Sequence, residues 1–126
     1  MAVIKILLVD DSQTVLMTER TVLLRNGYEV ITARSAGEGL ARALHERPDL
    51  LLVDADMPRV SGVEACRQLA SDPLTAMIPV VLMVPPDLEP LAAPRRTWQA
   101  ELGKPLLEHD LIATVRRFAG TPDAQA

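Results

Sequence analysis

Residues 3–9, 50–53 and 78–84 form almost unbroken apolar runs without the every-second-residue alternation of a strand that has one wet face. A strand reads this way when both its faces are covered, the condition of a parallel sheet held between layers of helix. A fourth run, residues 28–33, is shorter and half polar. The segments between runs carry helix punctuation. Ser35-Ala36-Gly37-Glu38 and Ser61-Gly62-Val63-Glu64 each match a capping box, and Asn26-Gly27 and Arg47-Pro48 are stop signals. Strand and helix therefore alternate along 126 residues, and the 48% apolar content is enough for one core. The pattern predicts a single α/β domain, a doubly wound parallel sheet of five strands with helices on both faces.

One segment departs from this rhythm. Residues 85–94 contain Pro85, Pro86, Pro90 and Pro94, and each proline inside a helix costs about 3 kcal/mol. The fourth helix is expected to be short or absent, one or two turns at residues 88–93 at most, followed by a weak fifth strand near 99–102. The closing helix is expected at about residues 106–119, with Leu107, Leu111, Val115 and Phe118 on its buried stripe and Arg116-Arg117 in its last turn, where the helix dipole favours cations. The domain is expected to span residues 1–120, and the small polar residues 121–126 to be a frayed tail or the start of a linker.

Charge and composition exclude several functions. A net charge of −4 gives no basis for direct nucleic-acid or membrane binding, so Arg95-Arg96 and Arg116-Arg117 are expected to be solvated. No apolar run approaches the ~20 residues of a membrane span, and the N-terminus has no cleavage-like signal, so the expected compartment is the cytoplasm. Cys66, the single cysteine, permits no intrachain disulfide and no zinc cluster, and is assigned to a core face with Val63 and Ala70. His45 and His109 lie on polar helix positions without partner motifs. For Trp98, cover of the sheet edge and anchoring of a partner both remain open.

The chemistry concentrates where the strands end. In a doubly wound sheet the ligand crevice lies outside the carboxyl ends of the strands. Asp10-Asp11 follow the first run, Asp54 closes the third, and Gly103-Lys104-Pro105 follow the fifth. Crowded carboxylates raise one another's pKa unless a cation intervenes, and hard oxygen donors of this kind suit Mg²⁺. With a metal and an ammonium present, an aspartate can attack a phosphoryl group and form an acyl phosphate.

LLVDDS at 7–12, VDADMPRVSG at 53–62, IPVVLMV at 78–84 and GKP at 103–105, in this order and at this spacing, resemble the receiver domain of two-component response regulators, including the chemotaxis-type single-domain members. The resemblance spans nearly the whole chain. It implies the flavodoxin-like strand order 2-1-3-4-5. It also implies that Asp54 is the phospho-acceptor, that Asp11 and Asp54 are direct magnesium ligands joined by the backbone carbonyl of Asp56, and that Asp10 holds the metal through water. Lys104 would pair with the phosphoryl oxygens, and Pro105 would occupy the family's cis-proline position. The Asp56 carboxylate itself is expected to face solvent.

Two positions leave the family pattern. Val84 stands where a Thr or Ser normally ends strand four, and Glu101 stands where a Tyr or Phe is usual. In typical members that hydroxyl and aromatic convert phosphorylation into motion. The expectation is a phospho-accepting receiver in a phosphorelay, served by a sensor histidine kinase or phosphotransfer protein and signalling by an atypical route, with residues 85–101 as a surface for a downstream protein. It would be a signalling domain, with at most self-catalysed phosphoryl transfer and hydrolysis. The alternative is a receiver-like interaction module that works without phosphorylation. Aspartate-nucleophile phosphatases and dehalogenases share an acidic pocket, but the chain lacks their cap insertions.

Overall fold

The computed structural model describes residues 3–87 and 97–122. In chain order the elements are β1 (Lys5–Val9), α1 (Gln13–Arg25), β2 (Glu29–Ala33), α2 (Ala36–Glu46), β3 (Leu50–Asp54), α3 (Gly62–Ser71), β4 (Val80–Val84), β5 (Ala100–Gly103) and α4 (Glu108–Ala119). The five strands form one sheet in the order β2-β1-β3-β4-β5, parallel throughout. This is the doubly wound, flavodoxin-like arrangement that the sequence pattern and the resemblance predict.

The uninterrupted apolar runs have the expected cause. All five residues of β3 are buried, and successive residues serve opposite layers. Leu7, Val9, Leu51, Val53 and Leu82 face the core shared with α2 and α3, while Ile6, Leu8, Leu50, Leu52 and Met83 face the core shared with α1 and α4. Burying one such Leu or Ile side chain contributes roughly 1.5–3 kcal/mol.

The helix ends follow the signals in the sequence. The Ser12, Ser35 and Ser61 side chains accept from the N–H groups of Val15, Glu38 and Glu64 at 3.3, 3.1 and 3.2 Å. Glu38 reaches back to the N–H of Arg34 at 2.9 Å, one residue before the cap. Asn26 caps α1 and is followed by Gly27 at φ +90, and Arg47 ends α2 at φ 50. The chain then returns to the sheet, where the Tyr28 hydroxyl donates to the carbonyl of Gly120 at 2.7 Å, tying β2 to the end of α4.

Some expected boundaries shift. The closing helix begins at Glu108, so Leu107 precedes the helical face and is 56% exposed, while Ile112 takes the buried place beside Leu111 and Val115. On α3 the buried face is Gly62, Ala65, Cys66 and Leu69, whereas Ala70 is exposed, because a 3.6-residue period carries it past the contact. β5 lies one residue later than expected. Trp98 is buried in the α2–α3 core, which settles its open assignment in favour of packing. The expected turns at residues 88–93 lie outside the described residues, as do Arg95-Arg96; among the described residues there are four helices.

Candidate functional site

Four strands deliver the site. Asp10 follows β1, and its N–H bonds the Ala33 carbonyl at 3.0 Å, extending the β1–β2 ladder by one residue. Asp54 is the last residue of β3, paired in register with Met83. The next N–H, that of Ala55, bonds the Met83 carbonyl at 2.8 Å. Val84 closes β4, and its carbonyl accepts from the N–H of Lys104 at 2.8 Å, which fixes the lysine just past β5. The Lys104–Pro105 peptide bond is cis.

These anchors bring carboxylates together that a folded interior would otherwise keep apart. Asp10, Asp11 and Asp54 each place a carboxylate oxygen within 4.8 Å of the others. Asp10 and Asp54 are only 1% and 3% exposed, while Asp11 is exposed. The Lys104 Nζ sits 3.2 Å from Asp10 Oδ2 and 3.2 Å from Asp54 Oδ1. Asp54 Oδ1 also accepts from the N–H of Asp56 at 3.2 Å, and Asp10 Oδ1 from the N–H of Ser12 at 2.9 Å. The Asp56 side chain is exposed.

One ammonium does not balance this much negative charge. Burial pushes the Asp54 carboxyl up to about 6; the Asp56 N–H and Lys104 work against the rise and Asp10 adds to it. For Lys104, burial acts to lower the pKa, but Asp10 and Asp54 outweigh it and the ammonium is held above its ordinary range. Three oxygen donors with an excess of negative charge form a donor set that fits Mg²⁺, which favours carboxylates and water.

Sequence reasoning missed two participants. Glu19 on α1 is 4% exposed, and its carboxyl is raised to about 7 by burial and by Asp10 and Asp54, with Lys104 pulling the other way. The signal was present, since residue 19 lies three after Leu16 and four before Leu23 on the buried stripe of the helix. The second is Gly62. A Cβ there would lie 2.1 Å from the Asp54 carbonyl oxygen and 2.7 Å from the Ala55 Cα, so α3 can approach the end of β3 only at a glycine. In the intervening loop Arg59 adopts φ 71, a region that glycine enters more cheaply. Arg59→Gly is accordingly expected to change stability by less than about 1 kcal/mol in urea unfolding, whereas a β-branched residue there is expected to cost more.

The altered positions also have defined surroundings. Val84 is half-buried against the α2–α3 core and offers no hydroxyl to the pocket. Glu101 is exposed on β5, and its Oε2 accepts from the buried Trp98 indole N–H at 2.9 Å.

Known proteins share this architecture and sequence. A profile of the response regulator receiver domain matches residues 6–116. Protein PilH of Pseudomonas aeruginosa is 36% identical over 113 residues, covering 88% of this chain and 93% of PilH. The alkaline phosphatase synthesis transcriptional regulatory protein PhoP of Bacillus subtilis is 39% identical over 85 residues, 68% of this chain but only 35% of PhoP. Among solved structures, chemotaxis protein CheY4 of Vibrio cholerae superposes with a TM-score of 0.81 at 27% identity, covering 93% of this chain and 99% of that one. A response regulator receiver domain protein from Clostridium thermocellum superposes at 0.82 with 26% identity, covering 93% and 94%. No helix among the described residues is long and apolar enough to cross a membrane. Strand order, strand-end carboxylates and sequence match agree, and the chain belongs to the response regulator receiver domain family.

Proposed function

We propose that the chain is a phospho-accepting receiver of a two-component phosphorelay, phosphorylated at Asp54 in a magnesium-dependent reaction, whose output does not use the customary hydroxyl and aromatic positions. The observation that carries this reading is the Asp54 carboxylate, buried at a strand end, with Oδ1 held 3.2 Å from the Lys104 ammonium and beside the Asp10 and Asp11 carboxylates.

Asp11 and Asp54 would hold magnesium directly, with the Asp56 carbonyl as a third donor and Asp10 acting through water. Bound there, magnesium supplies positive charge to the phosphoryl oxygens. The chain's own groups do the rest. The Asp56 N–H engages Oδ1 of Asp54, which orients the carboxylate and leaves Oδ2 as the attacking oxygen. Oδ2 bonds to phosphorus as the donor's phosphorus–nitrogen bond breaks, and the imidazole leaves with that electron pair. Lys104 then balances charge on the transferred group. A sensor histidine kinase or phosphotransfer protein would be the donor. The acyl phosphate makes this a signalling acceptor, and hydrolysis would reset it.

The atypical output rests on Val84 and on Trp98. A hydrogen bond to a charged group contributes about 1.5–3 kcal/mol, whereas moving a two-state equilibrium from 1:99 to 99:1 takes about 5.5 kcal/mol. Without a hydroxyl at residue 84, a large share of that driving energy is missing. Trp98 is already buried, with Glu101 accepting its N–H. With magnesium and beryllofluoride as phosphoryl mimic, amide shifts are expected at residues 10–12, 54–57 and 104. Residues 97–103 are expected to hold their positions. A large rearrangement across 84–105 in the NMR spectrum would contradict the atypical output.

The absence of a hydroxyl at Val84 also leaves a second reading, a receiver-like module that binds its downstream protein through residues 85–101 whether or not Asp54 is phosphorylated. Partner capture equal in wild type and Asp54→Asn would select it. Loss of capture in Asp54→Asn would select the phosphorelay.

A further inference from the structure

Between α1 and the segment after β5 lies a groove of about 480 Å³ lined by Thr14, Thr18, Glu19, Lys104 and Leu106 among others. Glu19 is the outlier in its wall. Its Oε1 is fully buried and has no hydrogen-bond partner among the described residues, although nearly every buried polar atom in a folded protein has one. A carboxylate in this condition costs the fold stability unless a partner reaches it in another state of the molecule.

The charged groups acting on Glu19 are Asp10, Asp54 and Lys104, and of these only Lys104 is a cation. Lys104 lines the same groove and is 20% exposed at its side chain, so the ammonium has room to move. At present it is shared between Asp10 and Asp54, at 3.2 Å from each. A divalent cation taken up by those aspartates would compete with the ammonium for the same oxygens.

We propose that Glu19 is a positioning residue for Lys104, an alternative partner that receives its ammonium when a divalent cation occupies the strand-end aspartates. The inference rests on the proposed magnesium site and adds to it a residue outside the proposed ligand set. Moving the ammonium to Glu19 satisfies the orphaned oxygen and clears the Asp10 and Asp54 oxygens together. The lysine stays within the groove, from which it can return to a phosphoryl group on Asp54.

The test is a magnesium titration of the full chain by calorimetry, with the Lys104 ¹⁵Nζ resonance followed in parallel, in wild type, Glu19→Gln and Glu19→Leu. In wild type the Lys104 resonance is expected to move as magnesium binds. In both variants that movement is expected to be lost and magnesium affinity to fall about fivefold to tenfold, the size of one charge-assisted contact. Glu19→Leu guards against an artefact of the amide, since it removes the orphaned polar atom and is expected to fold at least as stably as wild type. Weaker affinity with an unchanged Lys104 response would reduce Glu19 to a distant charge and overturn the proposal, as would variants that match wild type in both readouts. Failure of wild type to bind magnesium at all would contradict the proposed function along with it.

Discussion

Gly62→Ala is expected to destabilise the fold by about 3 kcal/mol or more, an unusually large effect for a change of one methyl group. The added Cβ would lie 2.1 Å from the Asp54 carbonyl oxygen and 2.7 Å from the Ala55 Cα. Neither atom can yield cheaply. Asp54 is held in the β3–β4 register opposite Met83, and Ala55 both donates to the Met83 carbonyl and accepts from the Gly62 N–H. Relief must come from α3, whose buried Ala65, Cys66 and Leu69 would then withdraw from the sheet. Urea unfolding gives the cost directly, and the amide resonances of residues 54–56 should shift with it. A loss below about 1 kcal/mol would show that the close approach of α3 is not what positions the acceptor.

The second large effect is a pH-dependent gain from Asp54→Asn in chelator-treated protein. The Asp54 carboxyl titrates at about 6 in the folded chain, against an ordinary value of 3.8. Its raised pKa means that the folded state holds the proton more tightly than the unfolded one between those limits. Stability from this group is therefore full below about pH 4 and lost as pH rises through 6. Asparagine has no such dependence, so the variant should be more stable than wild type at pH 8, by about 2 kcal/mol, and the advantage should shrink toward pH 4. Glu19, raised to about 7, adds a slope of the same sign to both proteins. Magnesium should reverse the ranking at pH 8, because a ligand that binds only the folded state stabilises it by about 2.7 kcal/mol at a hundredfold excess over its dissociation constant. A pH-independent difference, or an Asn variant less stable at pH 8 without metal, would contradict the electrostatic account of the pocket.

These effects come from features of unequal visibility in the sequence. The sheet was legible because strands covered on both faces must be apolar at consecutive positions, as residues 50–53 are. The helix starts were legible because Ser35 and Ser61 cap in a way that depends on three neighbouring residues only. The strand-end aspartates and Lys104 could be placed in one crevice because parallel topology sends every strand's carboxyl end to the same side. What escaped was set by contacts between distant segments. Gly62 looked like an ordinary first helical residue, and nothing local shows that the Asp54 carbonyl lies against it. Glu19 was hidden in a polar stretch, although its place between Leu16 and Leu23 put it on the inner face. Leu107 fits the buried stripe by periodicity but precedes a helix that begins at Glu108, and Trp98 can be placed inside only by knowing what β4 and α3 leave uncovered.

The most direct test of the central claim is the intact mass of the protein after incubation with Mg²⁺ and a small phosphodonor such as acetyl phosphate, with Asp54→Asn and a chelator-treated sample alongside. The account predicts one phosphoryl adduct on the parent chain, absent without magnesium and absent from Asp54→Asn. No adduct from several donors on folded, magnesium-loaded protein, or an adduct that survives in Asp54→Asn, would contradict it.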